Sequence, residues 1–173
     1  MAGPGISLII RQDIKEFKEL VSEYLDKFGK PHPALKSSGE YLIKVTQDRF
    51  SGEHDPDGKP WKPLSPATLF GAYMAKGRRV FTKKGSATKG FQRYTMARKI
   101  LTVSSRLRSS ITYETAGNYL VIGTSTIYAA IHQFGGKAGR GRKVLIPQRA
   151  FLGVNEQDLA EFSRIMEDYL AAK

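Results

Sequence analysis

Residues 110–134 run SITYETAGNYLVIGTSTIYAAIHQF, and their pattern sets the fold class. Ser110–Thr115 and Tyr119–Gly123 are rich in β-branched and aromatic residues, and Ala116-Gly117-Asn118 between them supplies turn chemistry. That combination predicts a β-hairpin. Ile127–Phe134 changes to helical spacing and predicts a turn or two of helix, stopped by Gly135-Gly136. Leu101–Arg108 on the near side predicts another short helix, and Val144-Leu145-Ile146 on the far side a further strand.

Longer helices bracket this centre. The opening ISLII predicts a short strand. From Asp13 to Phe28 the apolar residues Ile14, Phe17, Leu20, Val21, Tyr24, Leu25 and Phe28 share one face of a helix. An Asp13/Glu16 capping pair opens that helix, and Gly29 with Pro31 closes it. A second helix is predicted over Ala34–Phe50, burying Leu35, Leu42, Val45 and Phe50, with Gly39 weakening it by about 1 kcal/mol. At the far end Asn155 and Asp158 form an N-x-x-D capping pair. The helix they start carries Leu159, Phe162, Ile165, Met166 and Tyr169 on its apolar face. Helices, then a small antiparallel sheet with long basic loops, then a C-terminal helix make an α+β class. Residues 1–173 suit a single domain.

Two segments resist regular assignment. HDPDGKPWKPLSP, residues 54–66, is an irregular loop because each proline bars its predecessor from helical geometry. Asp55-Pro56-Asp57-Gly58 predicts a tight turn, and Trp61 is expected to pin the loop to the core. Residues 70–95, rich in glycine, lysine and arginine, predict a long basic excursion, poorly ordered in an isolated monomer. A second such loop, KAGRGRK, falls within about 136–143.

Charge is the strongest signal in the composition. The net is +12, but Gly58–Asn155 alone carries 18 bases against one acid, Glu114. The first 57 residues hold 8 bases and 10 acids, and the last 18 hold 2 and 5. A field this lopsided attracts polyanions or an acidic protein face. Basic residues alternate with Phe70, Tyr73, Phe81, Phe91 and Tyr94, the composition of a base-stacking surface, although no sequence-reading motif accompanies them. The expected contact residues are Arg78, Arg79, Lys83, Lys84, Lys89 and Arg93 in one loop, and Lys137, Arg140, Arg142 and Lys143 in the other. Their first expected target is an acidic surface of a neighbouring protein, with DNA second.

Catalytic chemistry finds little support. There is no cysteine, and His32, His54 and His132 lie in no metal-ligand spacing. GxSxG and GxxxxGK[ST] are both missing. Asp55, Asp57 and Gly58 make only a fragment of a calcium loop. His132 is expected to make a structural hydrogen bond. No enzyme, cofactor or metal is therefore expected. No run approaches the ~18 apolar residues of a membrane span, and MAGPGISLII lacks a basic leader, so membrane association is not expected.

The stretches DPDGKPWKPLSPAT, ILTVSSRLRSSI, VIGTSTIYAAIHQFGG and IPQRAFLGV, followed by an amphipathic helix, occur in that order from residue 55 onward. Together they resemble the phage virion morphogenesis family, which includes tail-completion proteins of contractile-tailed temperate phages. The resemblance rests on Asp55, Gly58 and Trp61, on Leu107, on Tyr128, Ala129, His132, Phe134 and Gly135, and on Arg149, Phe151 and Leu152. A Y-A-x-x-x-x-F-G stretch ahead of R-x-F-L is also similar to small neck proteins of long-tailed phages, with Ala150 standing where that group commonly has Pro.

The resemblance implies a structural virion protein for tail completion and head–tail joining. It would be made in the host cytoplasm and would act as a ring, expected to have six subunits, at the neck or upper tail. Neighbouring connector and tail proteins would be partners, with DNA in the channel a possible further contact. A tail terminator is the alternative within the virion, and a nonspecific DNA-binding or packaging-associated module is the alternative from another class. Tyr128, Ile131 and Phe134 are expected to anchor the short helix, and Arg149 to fork onto a carboxylate of a neighbour. Phe151 and Leu152 are expected in the subunit's own core.

Overall fold

The computed structural model describes residues 32–116 and 119–171, together with Glu19, Ser22, Glu23 and Asp26, which are helical. Those four positions fall within the first expected helix. The remainder of that helix, the ISLII strand and the two turn residues at 117–118 lie outside the described residues.

The α+β class holds. A long helix α1 (His32–Gly52) carries its buried residues Leu35, Ser38, Leu42, Thr46, Arg49 and Phe50 at helical spacing. Val45, expected inside, is only half-buried, because the stripe passes through Thr46 instead. Strands β1 (Ile111–Ala116) and β2 (Tyr119–Thr124) pair antiparallel, with Ile111 opposite Thr124 and Tyr113 opposite Ile122. The inward residues of this hairpin face α1, and Gly39 lets the Tyr113 ring settle onto the helix backbone. A β-carbon there would overlap that ring, so the glycine that weakens the helix allows the helix to meet the sheet.

Further along, α5 (Ala129–Phe134), strands β3 (Gly136–Ala138) and β4 (Val144–Ile146), and α6 (Glu156–Ala171) follow. The core is shared by Leu42 and Phe50 of α1, Ile111 and Ile122 of the hairpin, Trp61 of the proline-rich loop, Phe151, and Phe162 of α6. Leu107, also buried here, comes from a single helical turn, α4 (Arg106–Ser109). The helix expected over 101–108 is thus reduced to its last turn. Leu101 and Ser105 adopt left-handed backbone (φ 60° and 53°), which a continuous right-handed helix cannot contain.

Two expected loops are ordered elements. Within 70–95 the chain forms α2 (Pro66–Met74) and α3 (Lys89–Ala97), capped by the side chains of Ser65 and Thr88. A bridge between Phe81 and Ala87 joins them. Tyr73, Val80 and Phe91 are buried in a separate small core, with Phe70 and Tyr94 packed on it. The aromatic spacing that suggested a stacking surface supplies this satellite core instead: Phe70–Phe91, Tyr73–Phe91 and Tyr73–Tyr94 have centroids 5.3, 5.2 and 5.1 Å apart. The basic excursion, expected to be poorly ordered, therefore folds around apolar surface of its own. KAGRGRK, likewise, is the end of a second hairpin: β3 pairs antiparallel with β4, and a 3-10 turn over Arg140–Arg142 connects them.

Candidate assembly interface

The motif residues converge on one joint. The segment 149–153 passes between α1, α5 and the proline-rich loop, and each neighbour holds its backbone. Gln133 of α5 accepts from Phe151 N and Leu152 N (3.0 Å each) with Oε1 and donates to Leu152 O (2.7 Å) with Nε2. Arg149 N donates to His132 O (2.7 Å). Trp61 Nε1 donates to Ala150 O (2.8 Å), and the indole meets Phe50 edge-on at 5.4 Å. Gly135, at φ 71°, passes so close to Gln148 that a β-carbon would press on its backbone nitrogen. The Y-A-x-x-x-x-F-G and R-x-F-L stretches are thus physically one unit. Phe151 and Leu152 lie in the subunit's own core, as expected.

Arg49 locks this joint from α1. Fully buried, its Nη1 donates to Phe151 O (3.3 Å) and Gly153 O (2.8 Å), and its Nη2 meets Asp158 Oδ2 at 2.6 Å. Asp158 also completes the capping box of α6: Asn155 Oδ1 accepts from Asp158 N (2.8 Å), and Asp158 Oδ2 accepts from Asn155 N (3.0 Å). Tyr41 adds a donor to Asp158 Oδ1 (3.1 Å). Burial and then the Asp158 charge push the Tyr41 hydroxyl up to about 12, so it remains a donor. Sequence reasoning missed Arg49, although it lies seven residues after Leu42, on the buried stripe. Gln133 was missed as well; it lies one helical turn after buried Ala129.

Several expected roles change. Arg149 does not reach outward. It is 95% buried, with Nε donating to Lys62 O (2.8 Å) and Nη2 to Pro63 O (3.0 Å), since the carbonyls of the proline-rich loop take its donors. Tyr128 and Phe134 do not anchor α5: both are exposed, while Ala129 and Gln133 face inward. The His132 ring makes no structural hydrogen bond through Nδ1, which is buried without a partner. Burial, with the Arg149 charge nearby, holds its pKa below 6.5. Asp55 does form the expected turn, its Oδ1 accepting from Asp57 N (3.0 Å) and Lys59 N (2.8 Å) with Gly58 at φ 79°.

Apart from Arg149, the cations expected to make contacts are all exposed, but in two separate places. Arg78, Arg79, Lys83, Lys84, Lys89 and Arg93 cover the satellite. Lys137, Arg140, Arg142 and Lys143 lie within the β3–β4 hairpin, in β3 and in its connection to β4. That hairpin also presents Val144 and Leu145 to solvent, with Ile127, Tyr128 and Phe134 exposed on and just ahead of α5. Among the described residues no group of three or more His, Asp or Glu is arranged to hold a metal, and no helix is long and apolar enough to cross a membrane.

Sequence comparison places these features in context. The family model described as the phage virion morphogenesis family matches residues 12–171. Mu-like prophage FluMu G protein 2 of Haemophilus influenzae is 53% identical over 66 residues, covering 38% of this chain and 48% of that protein. The putative capsid assembly protein G of Escherichia phage Mu is 31% identical over 117 residues, 66% of this chain and 64% of that protein. The matched part thus spans from about half to just under two thirds of these relatives. No solved structure matches the chain.

Proposed function

Since this chain belongs to the phage virion morphogenesis family, whose members serve virion assembly, we propose that it completes the tail and joins it to the head as a ring, six subunits in our reading, at the neck or upper tail. The observation that carries the ring is the β3–β4 hairpin. It carries exposed Val144 and Leu145 in the same short hairpin as exposed Lys137, Arg140, Arg142 and Lys143, and Tyr128 and Phe134, at the two ends of α5, are exposed as well. Exposed apolar side chains among exposed cations are the composition of a protein contact rather than of a merely soluble turn. Acids are available to meet those cations: Glu40 and Asp48 on α1 and Glu156 and Glu167 on α6 are exposed. A head-to-tail contact between unlike patches closes into a ring when its rotation permits.

The phage Mu relative is named as a capsid assembly protein, which favours a place on the head side of the tail. Deleting the gene in its parent phage and imaging the lysate tests the proposal. Full heads beside finished, unattached tails are the expected result. Tails of uncontrolled length would mean tail termination instead, and empty heads would rule out both.

A further inference from the structure

The satellite carries charge in a different setting from the hairpin. Residues 66–99 contain nine Lys and Arg and no Asp or Glu. Among the described residues none of the nine has a carboxylate partner; the ion pairs lie at Arg49, Lys59 and Arg164. The aromatic rings that could have made an apolar contact surface are turned onto one another in the satellite core. Exposed large apolar side chains number three here, Met74, Phe81 and Met96, against five on the far smaller region of α5 and the β3–β4 hairpin. The satellite thus lacks the apolar centre that a protein partner would bury. Among its rings only Phe81 is exposed, too few for successive unpaired bases to stack on.

Its cations are held in place by the fold. Arg78 lies over the Tyr73 ring at 5.6 Å and Arg98 over Tyr94 at 5.3 Å. Those two rings pack together, so two guanidinium groups rest on one aromatic pair with no anion between them. Arg79 O accepts from the Thr88 hydroxyl (3.0 Å), tying the Lys83–Lys84 turn back to the start of α3. Unpaired positive charge on α3, on its flanks and on the turn before it suits a regular array of phosphates.

We propose that the satellite is a duplex-DNA-binding module that grips the phosphate backbone without reading sequence. The inference does not rest on ring formation, because a monomer carries the same surface. Phosphate contact releases counterions, so the binding constant falls with salt by a log–log slope of about −0.9 per contact. With about five contacts, affinity drops roughly 500-fold between about 50 and 200 mM salt.

Fluorescence anisotropy with the full chain and labelled duplexes of about 30 base pairs tests this. Two unrelated sequences should bind alike, with dissociation constants of roughly 10⁻⁴–10⁻⁶ M near physiological salt, and the single strand no tighter than the duplex. Replacing Arg78, Arg79, Lys83 and Lys84 with serine should cut the slope by up to about 3.6 and low-salt affinity by about 100-fold or more. Replacing Lys137, Arg140, Arg142 and Lys143 with serine should leave both nearly unchanged. A melting curve checks that the satellite variant stays folded; should it not, Lys83→Glu with Lys84→Glu, on the turn alone, gives the same readout. No duplex binding at about 50 mM salt would overturn the proposal, as would equal losses in the two serine variants. Binding to polyglutamate but not to duplex would assign the satellite to an acidic protein surface instead, and the proposal would fail.

Discussion

Among single side chains, Arg49 makes three of the joint's polar connections, as many as Gln133, and does so with a buried charge. Removing one member of a buried ion pair strands the other, at a cost of about 3–5 kcal/mol. Arg49→Leu should therefore lower the urea unfolding free energy by about that amount. A loss under 1 kcal/mol would show that Asp158 is content with its cap and Tyr41 alone. His132 gives a pH signature. Its pKa is held below 6.5 in the fold, so the unfolded chain takes up the proton first as pH falls. The stability it contributes is complete above about 6.5 and declines as pH drops toward the lowered folded value. Melting temperature should fall between about pH 7 and 5.5 in the wild type, and fall less in His132→Gln. The charge on the buried stripe of α1 was open to detection from spacing. Its partner was not, since Asp158 is 109 residues away and no local pattern joins the two. Arg149 misled because an arginine in a short polar motif suggests an outward fork, whereas distant loop carbonyls use its donors.

Elements with strong periodicity and explicit stops were the readable ones. Phase in α1, β1, β2 and α6 follows directly from their apolar residues, and the Asn155/Asp158 cap marks its helix start to the residue. The satellite was hidden because its helices have nine residues each and each contains a glycine, too short for periodicity to overcome composition. Its aromatics, which looked like a binding surface, were the evidence of a core. Of the second hairpin, β4 was legible as Val144-Leu145-Ile146, whereas β3, only a glycine, a lysine and an alanine long, was hidden. Where α1 crosses β1, Gly39 sets the contact distance. Gly39→Ala would add about 1 kcal/mol of helix propensity if nothing else changed. Against the Tyr113 ring it should instead destabilise the protein by about 1–3 kcal/mol, as overpacked cores do. A gain in melting temperature would mean that the ring swings aside freely.

Across the assembled particle, the hairpin prediction is separable from all of these. Val144→Asp with Leu145→Asp changes only exposed positions, so the monomer should melt as before. Sedimentation at increasing concentration should show the wild type forming a ring and the variant remaining a monomer. A ring from the variant would remove the hairpin from the contact. Glu53 raises a different matter, that of tolerance to inserted sequence. Its backbone carbonyl accepts from Trp61 N (2.7 Å) and its carboxylate from Ile100 N (2.5 Å), so one residue clasps both the chain leaving for the satellite and the chain returning. Arg149 steadies the outgoing side at Lys62 and Pro63. With its ends clasped, the segment between behaves as a cassette in a socket. Doubling its length adds only about 0.6 kcal/mol of closure entropy. A lineage can thus exchange the cassette for one of another size or charge without renegotiating the core.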